Sequence, residues 1–328
     1  MRFLLLMAAV LPPVVIVAYV HGRDGNTAAP RLVWEGFLLG TCAGIVALGT
    51  VHLLSRVGVD SGNALVKALT DSFFRAGLLE EAAKLATVVI FAWNHADRRA
   101  PHDLLVVAAA VAGGFAALEN IGFLLDRSDW PMIAATRALL SAPGHIFAAA
   151  VGGACLAYTE LGGGRMLWWA MALILPAMLH GLYDFPLMLG SAALQGRSGD
   201  LGYAAVLPLI LSAAVVLTGA VLTSTASRRV HKRQSDHQGI VETSIHHDPW
   251  LSRHQFRGRI WRIGGIVLLV IAIAFMTASL FRAEIALATI GLPCAFYAWA
   301  CFSRGQLLLA RWLTILPMDR GWNKRLFR

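Results

Sequence analysis

Ionisable side chains interrupt four consecutive apolar segments of this sequence. In chain order they are Glu80, Glu81 and Lys84; Glu119 and Asn120, an amide beside a carboxyl; Arg137 and His145; and His180 and Asp184. A charged group at the centre of a bilayer costs ~2.5–3.5 kcal/mol on insertion scales, so ionisable residues within apolar segments are candidates for function. Carboxyls and imidazoles serve as general bases and as metal ligands. The set therefore predicts hydrolytic or proton-transfer chemistry inside a membrane.

The spacing of the first group indicates a charge pair. Lys84 lies four residues after Glu80 and three after Glu81, so all three side chains share one helix face. One lysine neutralises one carboxyl, which leaves the second glutamate without a local partner. A purely structural Glu–Lys pair therefore explains only part of the motif.

The two histidines have different neighbours. His180 and Asp184 are one helical turn apart, a spacing typical of a base oriented by an acid or of a metal ligand supported by a carboxylate. His145 follows Pro143 and Gly144, which loosen the helix directly before it. The zinc signature H-E-x-x-H is absent from the sequence, so any metal site has to be assembled from separate helices.

The composition defines the elements that must position these groups. The chain has 328 residues, of which 57% are hydrophobic and 14% charged, and its mean hydropathy is +0.64. These values exclude an ordinary soluble protein, and they predict an all-α fold, a polytopic membrane bundle of about nine transmembrane helices. The candidate spans are Phe3–Val20, Leu32–Leu54, Phe73–Trp93, Leu104–Leu125, Met132–Tyr158, Met166–Leu189, Tyr203–Thr223, Ile260–Phe281 and Ile285–Phe302.

The basic residues predict the orientation. The net charge of +9 is explained by cytoplasmic loops, so we expect the lipid bilayer and no nucleic acid as a partner. Basic residues concentrate in 228–259 and at the C-terminus, which predicts a cytoplasmic C-terminus in a multi-pass protein of the cell membrane. This orientation places Glu80, Glu119 and His180 in the outer half of the membrane, roughly 8–14 Å from the outer ends of their spans at 1.5 Å per residue. His145 comes out deeper, unless its helix starts late or is broken at Pro143.

The sequence divides into three parts. Residues 1–226 are predicted to form the catalytic bundle, with the motifs within about 30–190. Residues 227–259 form a basic, His-rich cytoplasmic linker, and residues 260–328 hold two further transmembrane helices and a basic amphipathic tail. Within the bundle, Ser55–Asp71 is predicted as a loop, with an interfacial turn of helix over Ala64–Leu69 as the alternative. Gly36, Gly40 and Gly44 are predicted to pack closely against another helix.

The order of the motifs resembles that of the PrsW family of intramembrane proteases. The shared pattern consists of Glu80-Glu81-x-x-Lys84, Phe115-x-x-x-Glu119, His145 after Pro143, and His180-x-x-x-Asp184, each on a successive span. The family is distantly similar to the CAAX-prenyl proteases, in which the second motif ends in His instead of Glu. The resemblance covers roughly residues 30–190.

The resemblance implies an intramembrane endopeptidase that cleaves a membrane-anchored protein, as in the regulated proteolysis of anti-sigma factors. The expected catalytic residues are Glu80, Glu81, Glu119, His145, His180 and Asp184, with Lys84, Asn120 and Arg137 in support. Water is activated by a glutamate or by one divalent metal ion such as zinc. Glu81, Glu119, His145 and His180 are the expected metal ligands.

Two other classes of protein remain as alternatives at this stage. A proton-coupled transporter also uses buried Glu, His and Asp, and a non-catalytic membrane scaffold uses Glu–Lys and Glu–Arg pairs to hold helices together. The sequence does not define the substrate or the oligomeric state.

Overall fold

In a computed structural model of the chain, every regular element of the described residues is a helix. The structure describes residues 2–23, 28–57, 63–95, 97–125, 127–162, 164–194 and 202–241. The helices are α1 (Arg2–Arg23), α2 (Pro30–Val57), α3 (Ala64–Leu69), α4 (Leu79–Ala92), α5 (Asp103–Leu124), α6 (Trp130–Thr136), α7 (Ala142–Glu160), α8 (Arg165–Leu194) and α9 (Gly202–Val241). Two π-helical segments, π1 (Thr70–Leu78) and π2 (Arg137–Ser141), join α3 to α4 and α6 to α7.

Six helical stretches in the described residues are long and apolar enough to cross a membrane. They correspond to six of the predicted spans, and they confirm the class of an all-α membrane bundle. The third predicted span lies within the continuous helical run from α3 through π1 to α4, whose charged residues set it apart from the other six. The last two predicted spans and the C-terminal tail lie outside the described residues, so the number nine stays a prediction.

The predicted loop over Ser55–Asp71 is wrong at both ends. Helix α2 continues to Val57, and α3 and π1 cover Ala64 to Asp71. Asn63 caps α3, because its side-chain oxygen accepts hydrogen bonds from the backbone N–H groups of Leu65 and Val66. Lys67 and Arg75 both pair with Asp71, which supports a polar helix in a segment too charged to cross the membrane by itself.

Helix α5 forms the centre of the bundle and packs closely against α2. A Cβ atom built on Gly40 would lie 1.9 Å from the carbonyl oxygen of Val111, and one built on Gly114 would lie 1.8 Å from that of Phe37. Only glycine allows the two backbones to come this close. The predicted packing role of the glycines in α2 is therefore confirmed, and the glycine pair of α5 does the same work from the other side.

Helix α9 continues well beyond its apolar part. It reaches Val241, so the first part of the predicted linker is helical. The helix contacts the start of α5 there, where the rings of His102 and His231 stack at 3.8 Å and Ser227 hydrogen bonds to His102 at 2.9 Å. The rest of the linker lies outside the described residues.

Candidate active site

Lys84 is the buried cation around which the acidic residues of α4 are arranged. Its Nζ donates to Glu81 Oε1 at 2.7 Å and lies 3.7 Å from Glu80 Oε2, as the helical spacing predicts. The same Nζ is 4.0 Å from the centre of the Phe115 ring on α5. The side chains of Lys84 and Glu81 are each only 2% exposed. Burial of this pair is tolerable because each charge has a partner and a hydrogen bond.

His180 lies between two carboxylates from two helices. Its Nδ1 is 2.9 Å from Glu81 Oε1, and its Nε2 is 3.1 Å from Asp184 Oδ2. The contact with Asp184 matches the predicted helical turn, whereas the contact with Glu81 joins α8 to α4. These two carboxylates fix the orientation of the imidazole ring.

His145 has one partner on each side of its ring. Its Nδ1 accepts a hydrogen bond from Lys84 Nζ at 2.9 Å, since a protonated lysine has only donors. Its Nε2–H then donates to Glu119 Oε2 at 2.8 Å. The tautomer of His145 is thus set by α4 on one side and by α5 on the other.

Glu119 also pairs with Arg137 of π2. Arg137 donates through Nη2 to Glu119 Oε2 at 2.5 Å and through Nε to Asn120 Oδ1 at 2.6 Å. The Asn120 amide nitrogen donates in turn to the backbone oxygen of Ala9 on α1. Asn120 therefore ties the Glu119–Arg137 pair to α1.

The two histidines lie at the same level of the bundle. Their rings meet edge to face with their centres 4.7 Å apart, so His145 does not lie below His180. The helix containing His145 is irregular as the prediction required, but the irregularity is π2, just before Pro143. Similarly, π1 ends directly before the start of α4, the helix that carries Glu80. Apolar periodicity carries no signal for either π segment, and single π turns in α-helices are frequent at functional sites.

The three groups best placed to hold a metal ion are Glu80, His145 and His180. Each offers one ligand atom, and these atoms all lie within 4.8 Å of one another. The expected ligand set differs from this group at its carboxylates, because it contains Glu81 and Glu119 and not Glu80. Glu81 is sealed between Lys84 and His180, and Glu119 is held by Arg137 and His145, whereas Glu80 points into the cluster.

The donor types fit a divalent ion such as zinc, which each histidine would bind through a ring nitrogen that has released its proton. Imidazole nitrogens and a carboxylate oxygen are its ordinary ligands. Glu80 Oε2 is buried and accepts no hydrogen bond, which is costly for a carboxylate unless a cation or a water fills the place. The cluster also contains four carboxyls but only two basic residues besides the histidines, so an added cation improves its charge balance.

The carboxylates of the cluster differ in their exposure. Side chains of Glu80, Glu119 and Asp184 keep 13%, 16% and 18% of their exposure, in contrast to the sealed Glu81. The side chain of Glu80 is thus less enclosed than that of Glu81, although its Oε2 atom is itself buried. Sequence spacing alone does not distinguish these adjacent glutamates.

Carboxylates and imidazoles from four helices gather around a Glu80 oxygen that accepts no hydrogen bond, an arrangement typical of a membrane-embedded hydrolase. The comparisons with known proteins give the family. The sequence pattern of the "PrsW family intramembrane metalloprotease" matches residues 28–235, which is more than half of the chain. This protein belongs to that family, and it is an intramembrane peptidase and a multi-pass membrane protein.

Curated relatives carry the name "Protease PrsW". The protein of Bacillus subtilis strain 168 is 29% identical over 186 residues, which are 56% of this chain and 82% of the relative. That of Geobacillus kaustophilus strain HTA426 is 31% identical over 188 residues, 57% of this chain and 80% of the relative. That of Clostridioides difficile strain 630 is 25% identical over 195 residues, 58% and 81% respectively. No solved structure matches the chain.

Proposed function

We propose that this protease hydrolyses a peptide bond of a membrane-anchored protein at the cluster of Glu80, His145 and His180. The observation that carries the proposal is the buried Oε2 of Glu80, which has no hydrogen-bond partner and lies within reach of both imidazoles. A carboxylate oxygen in this position either binds a cation or accepts a proton from water. Both roles use the same atom of the same residue.

Zinc is the metal that this donor set favours, because it accepts imidazole and carboxylate ligands and four-coordinate geometry. A divalent ion held by Glu80, His145 and His180 would supply a Lewis acid that activates water and polarises the scissile carbonyl. The family description as metalloprotease supports this assignment.

Glu81 and Asp184 act on the reaction through His180. Glu81 accepts a hydrogen bond from Nδ1–H of the ring and Asp184 lies 3.1 Å from Nε2, so the two carboxylates hold the imidazole in place while Nε2 can bind a cation. Lys84 fixes Glu81 by its 2.7 Å hydrogen bond and neutralises it. These three residues position the site, whereas Glu80 and His180 meet the water and the substrate.

Glu119 and Arg137 hold the ring of His145 in place, as Glu81 and Asp184 hold that of His180. Without a metal ion, Glu119 accepts a hydrogen bond from Nε2–H of the ring, and Arg137 holds the carboxylate beside that nitrogen. Both side chains keep some exposure beside Glu80. Arg137 is thereby also near enough to the partly exposed carboxylates to attract a carbonyl oxygen of the substrate, a role that fits its fixed charge and planar donors.

The substrate we propose is a protein anchored by a membrane span and cut near the outer face of the membrane, as in anti-sigma-factor-like regulated proteolysis. Support comes from the excess of Lys and Arg in 228–259 and in the C-terminal tail, which favours a cytoplasmic C-terminus and so puts the cluster in the outer half. The exposure of Glu80 within a bundle of apolar helices favours a chain segment that arrives through or beside the membrane.

The test compares new peptide termini in host membranes that contain the intact protein, the Glu80→Gln variant or a Glu35→Gln control. Glu35 is a partly exposed carboxyl on α2, paired with Arg31 and outside the cluster, so its change alters charge equally. All three proteins are first matched for expression and for thermal stability in detergent. Termini near the outer ends of single-span proteins should appear with the intact protein and the control, and should be lost with Glu80→Gln.

The rival classes give different results. A scaffold loses thermal stability with Glu80→Gln and yields no new termini in any of the three membranes. A transporter yields none either, but it shows proton or solute flux that depends on Glu80. Identical termini from well-folded intact and Glu80→Gln proteins would refute the assignment of Glu80.

A further inference from the structure

A basic and aromatic groove lies at the opposite end of the bundle from the cluster. We call it the interfacial groove and define it by the residues that line it: Tyr158, Trp168, Arg229, Lys232 and Arg233. It encloses about 440 Å³ between the end of α7, the start of α8 and the second half of α9. The proteolytic chemistry uses none of these residues.

The aromatic wall of the groove is ordered by stacking. The rings of Tyr158 and Trp168 lie 4.6 Å apart at an interplanar angle of 22°. The guanidinium carbon of Arg233 is 5.0 Å from the centre of the Tyr158 ring, so this arginine is held against the wall. Tyr and Trp are the residues enriched where a membrane protein passes from hydrocarbon to headgroups.

The charge of the groove is entirely positive. Arg229, Lys232 and Arg233 stand at i, i+3 and i+4 on α9, where like charges repel one another. Among the described residues none of the three forms an ion pair with a carboxylate. Glu160, close to Tyr158 in sequence, is already held by Arg98 through two hydrogen bonds of 2.8 and 2.9 Å. Three clustered cations without an acid indicate that an anion belongs in the groove.

We propose that the interfacial groove binds the phosphate headgroup of an anionic phospholipid. A lipid is favoured over a soluble anion by the apolar surface beside the cations, where Met166 and Leu167 at the start of α8 are 88% and 58% exposed. Those side chains lie where the acyl chains of a lipid would follow its headgroup into the membrane. Basic pockets between transmembrane helices are typical sites for such headgroups.

The experiment uses the full-length protein in detergent, titrated with phosphatidylglycerol and observed by native mass spectrometry and thermal unfolding. Each basic residue near an anionic lipid surface contributes about five-fold to binding. The triple variant R229Q/K232Q/R233Q should therefore bind phosphatidylglycerol roughly 100-fold more weakly. The matched control R31Q/K67Q/R127Q removes three exposed cations outside the groove and should bind within about two-fold of the unchanged protein.

Two further arms separate shape from charge. The charge-preserving variant R229K/K232R/R233K should retain phosphatidylglycerol binding. If the triple variant is poorly folded, the single variant R233Q tests the groove, and its affinity for phosphatidylglycerol should fall about five-fold. Phosphatidylcholine and glycerol 3-phosphate should bind much more weakly than phosphatidylglycerol.

Several results would overturn the proposal. Equal losses in the triple variant and in the matched control would show only general attraction between opposite charges. Equal binding of phosphatidylcholine would remove the role of the anion, and equal binding of glycerol 3-phosphate would remove the role of the membrane. Retention of binding in well-folded R233Q and triple variants would exclude the groove itself.

Discussion

Replacing Gly114 by alanine should disturb the bundle and the active site together. Non-bonded contacts of a Cβ atom closer than 3.0 Å are essentially absent from real proteins, and the new atom would lie 1.8 Å from the carbonyl oxygen of Phe37. The difference is 1.2 Å, so α2 and α5 must separate by about that distance along the line of the contact. Both partners are backbone or fixed to it, so no side chain can turn away to make room.

The expected effect of Gly114→Ala has two parts, a loss of stability from overpacking and a loss of rate from misplaced catalytic groups. Overpacking of this kind lowers the free energy of unfolding by typically ~1–3 kcal/mol. Glu119 lies on α5 little more than one turn beyond Gly114, and its contact with His145 is a single 2.8 Å hydrogen bond. A misplacement of ~1 Å near reacting groups lowers the rate by up to ~100-fold. We therefore expect Gly114→Ala to lose stability and most of its peptidase activity.

The matched control is Gly122→Ala on the same helix. A Cβ atom at Gly122 meets nothing within 4 Å, and alanine favours a helix over glycine by ~1 kcal/mol. This variant should unfold at the same or a higher temperature in detergent and retain activity. If Gly114→Ala matched Gly122→Ala in thermal unfolding and in the yield of new peptide termini, the close approach of α2 and α5 would be refuted.

Three further predictions concern the cluster. Lys84→Met leaves Glu81 buried without its cation and should lower the free energy of unfolding by ~3–5 kcal/mol, as measured by thermal unfolding against the exposed Lys67→Met control. A chelator should abolish peptidase activity, and zinc should restore it. The His180→Ala variant should contain no zinc when the purified protein is examined by elemental analysis. Full activity in thoroughly metal-free protein would instead make Glu80 a base that acts without a metal. Asp184→Asn should lower the turnover number with little change in stability, because Asp184 is partly exposed and acts through His180, and an unchanged turnover number would contradict that role.

The sequence was sufficient to predict the class of fold and the members of the cluster. Long apolar segments identify membrane helices, and the contacts of Lys84 with Glu81 and of His180 with Asp184 follow from helical spacing alone. The small-residue spacing of α2 likewise predicts its close packing, although it does not name α5 as the partner. These features are local, so a single segment contains the information.

The features that sequence reasoning missed depend on contacts between segments. The exchange of Glu81 for Glu80 as the candidate ligand is decided by His180 on α8, which occupies Glu81 from a distant part of the chain. The alternative of a helical turn over Ala64–Leu69 is the one that the structure shows, and the preferred loop is wrong because Asn63 caps a helix there. The equal depth of the two histidines depends on π2, which apolar periodicity does not reveal.

The π segments also determine how the chain tolerates changes in length. A π turn contains one residue more than an α turn, so deletion of one residue within π1 can be absorbed by a return to α-helical geometry. Because the residue lost is the extra one, α3 keeps its register relative to α4, and the face of α4 is unchanged. The same deletion within α4 turns Glu80 away from both histidines. The π turns thus act as register buffers ahead of the catalytic helices, and we expect length variants of this protein to survive at π1 and π2 but not a few residues later.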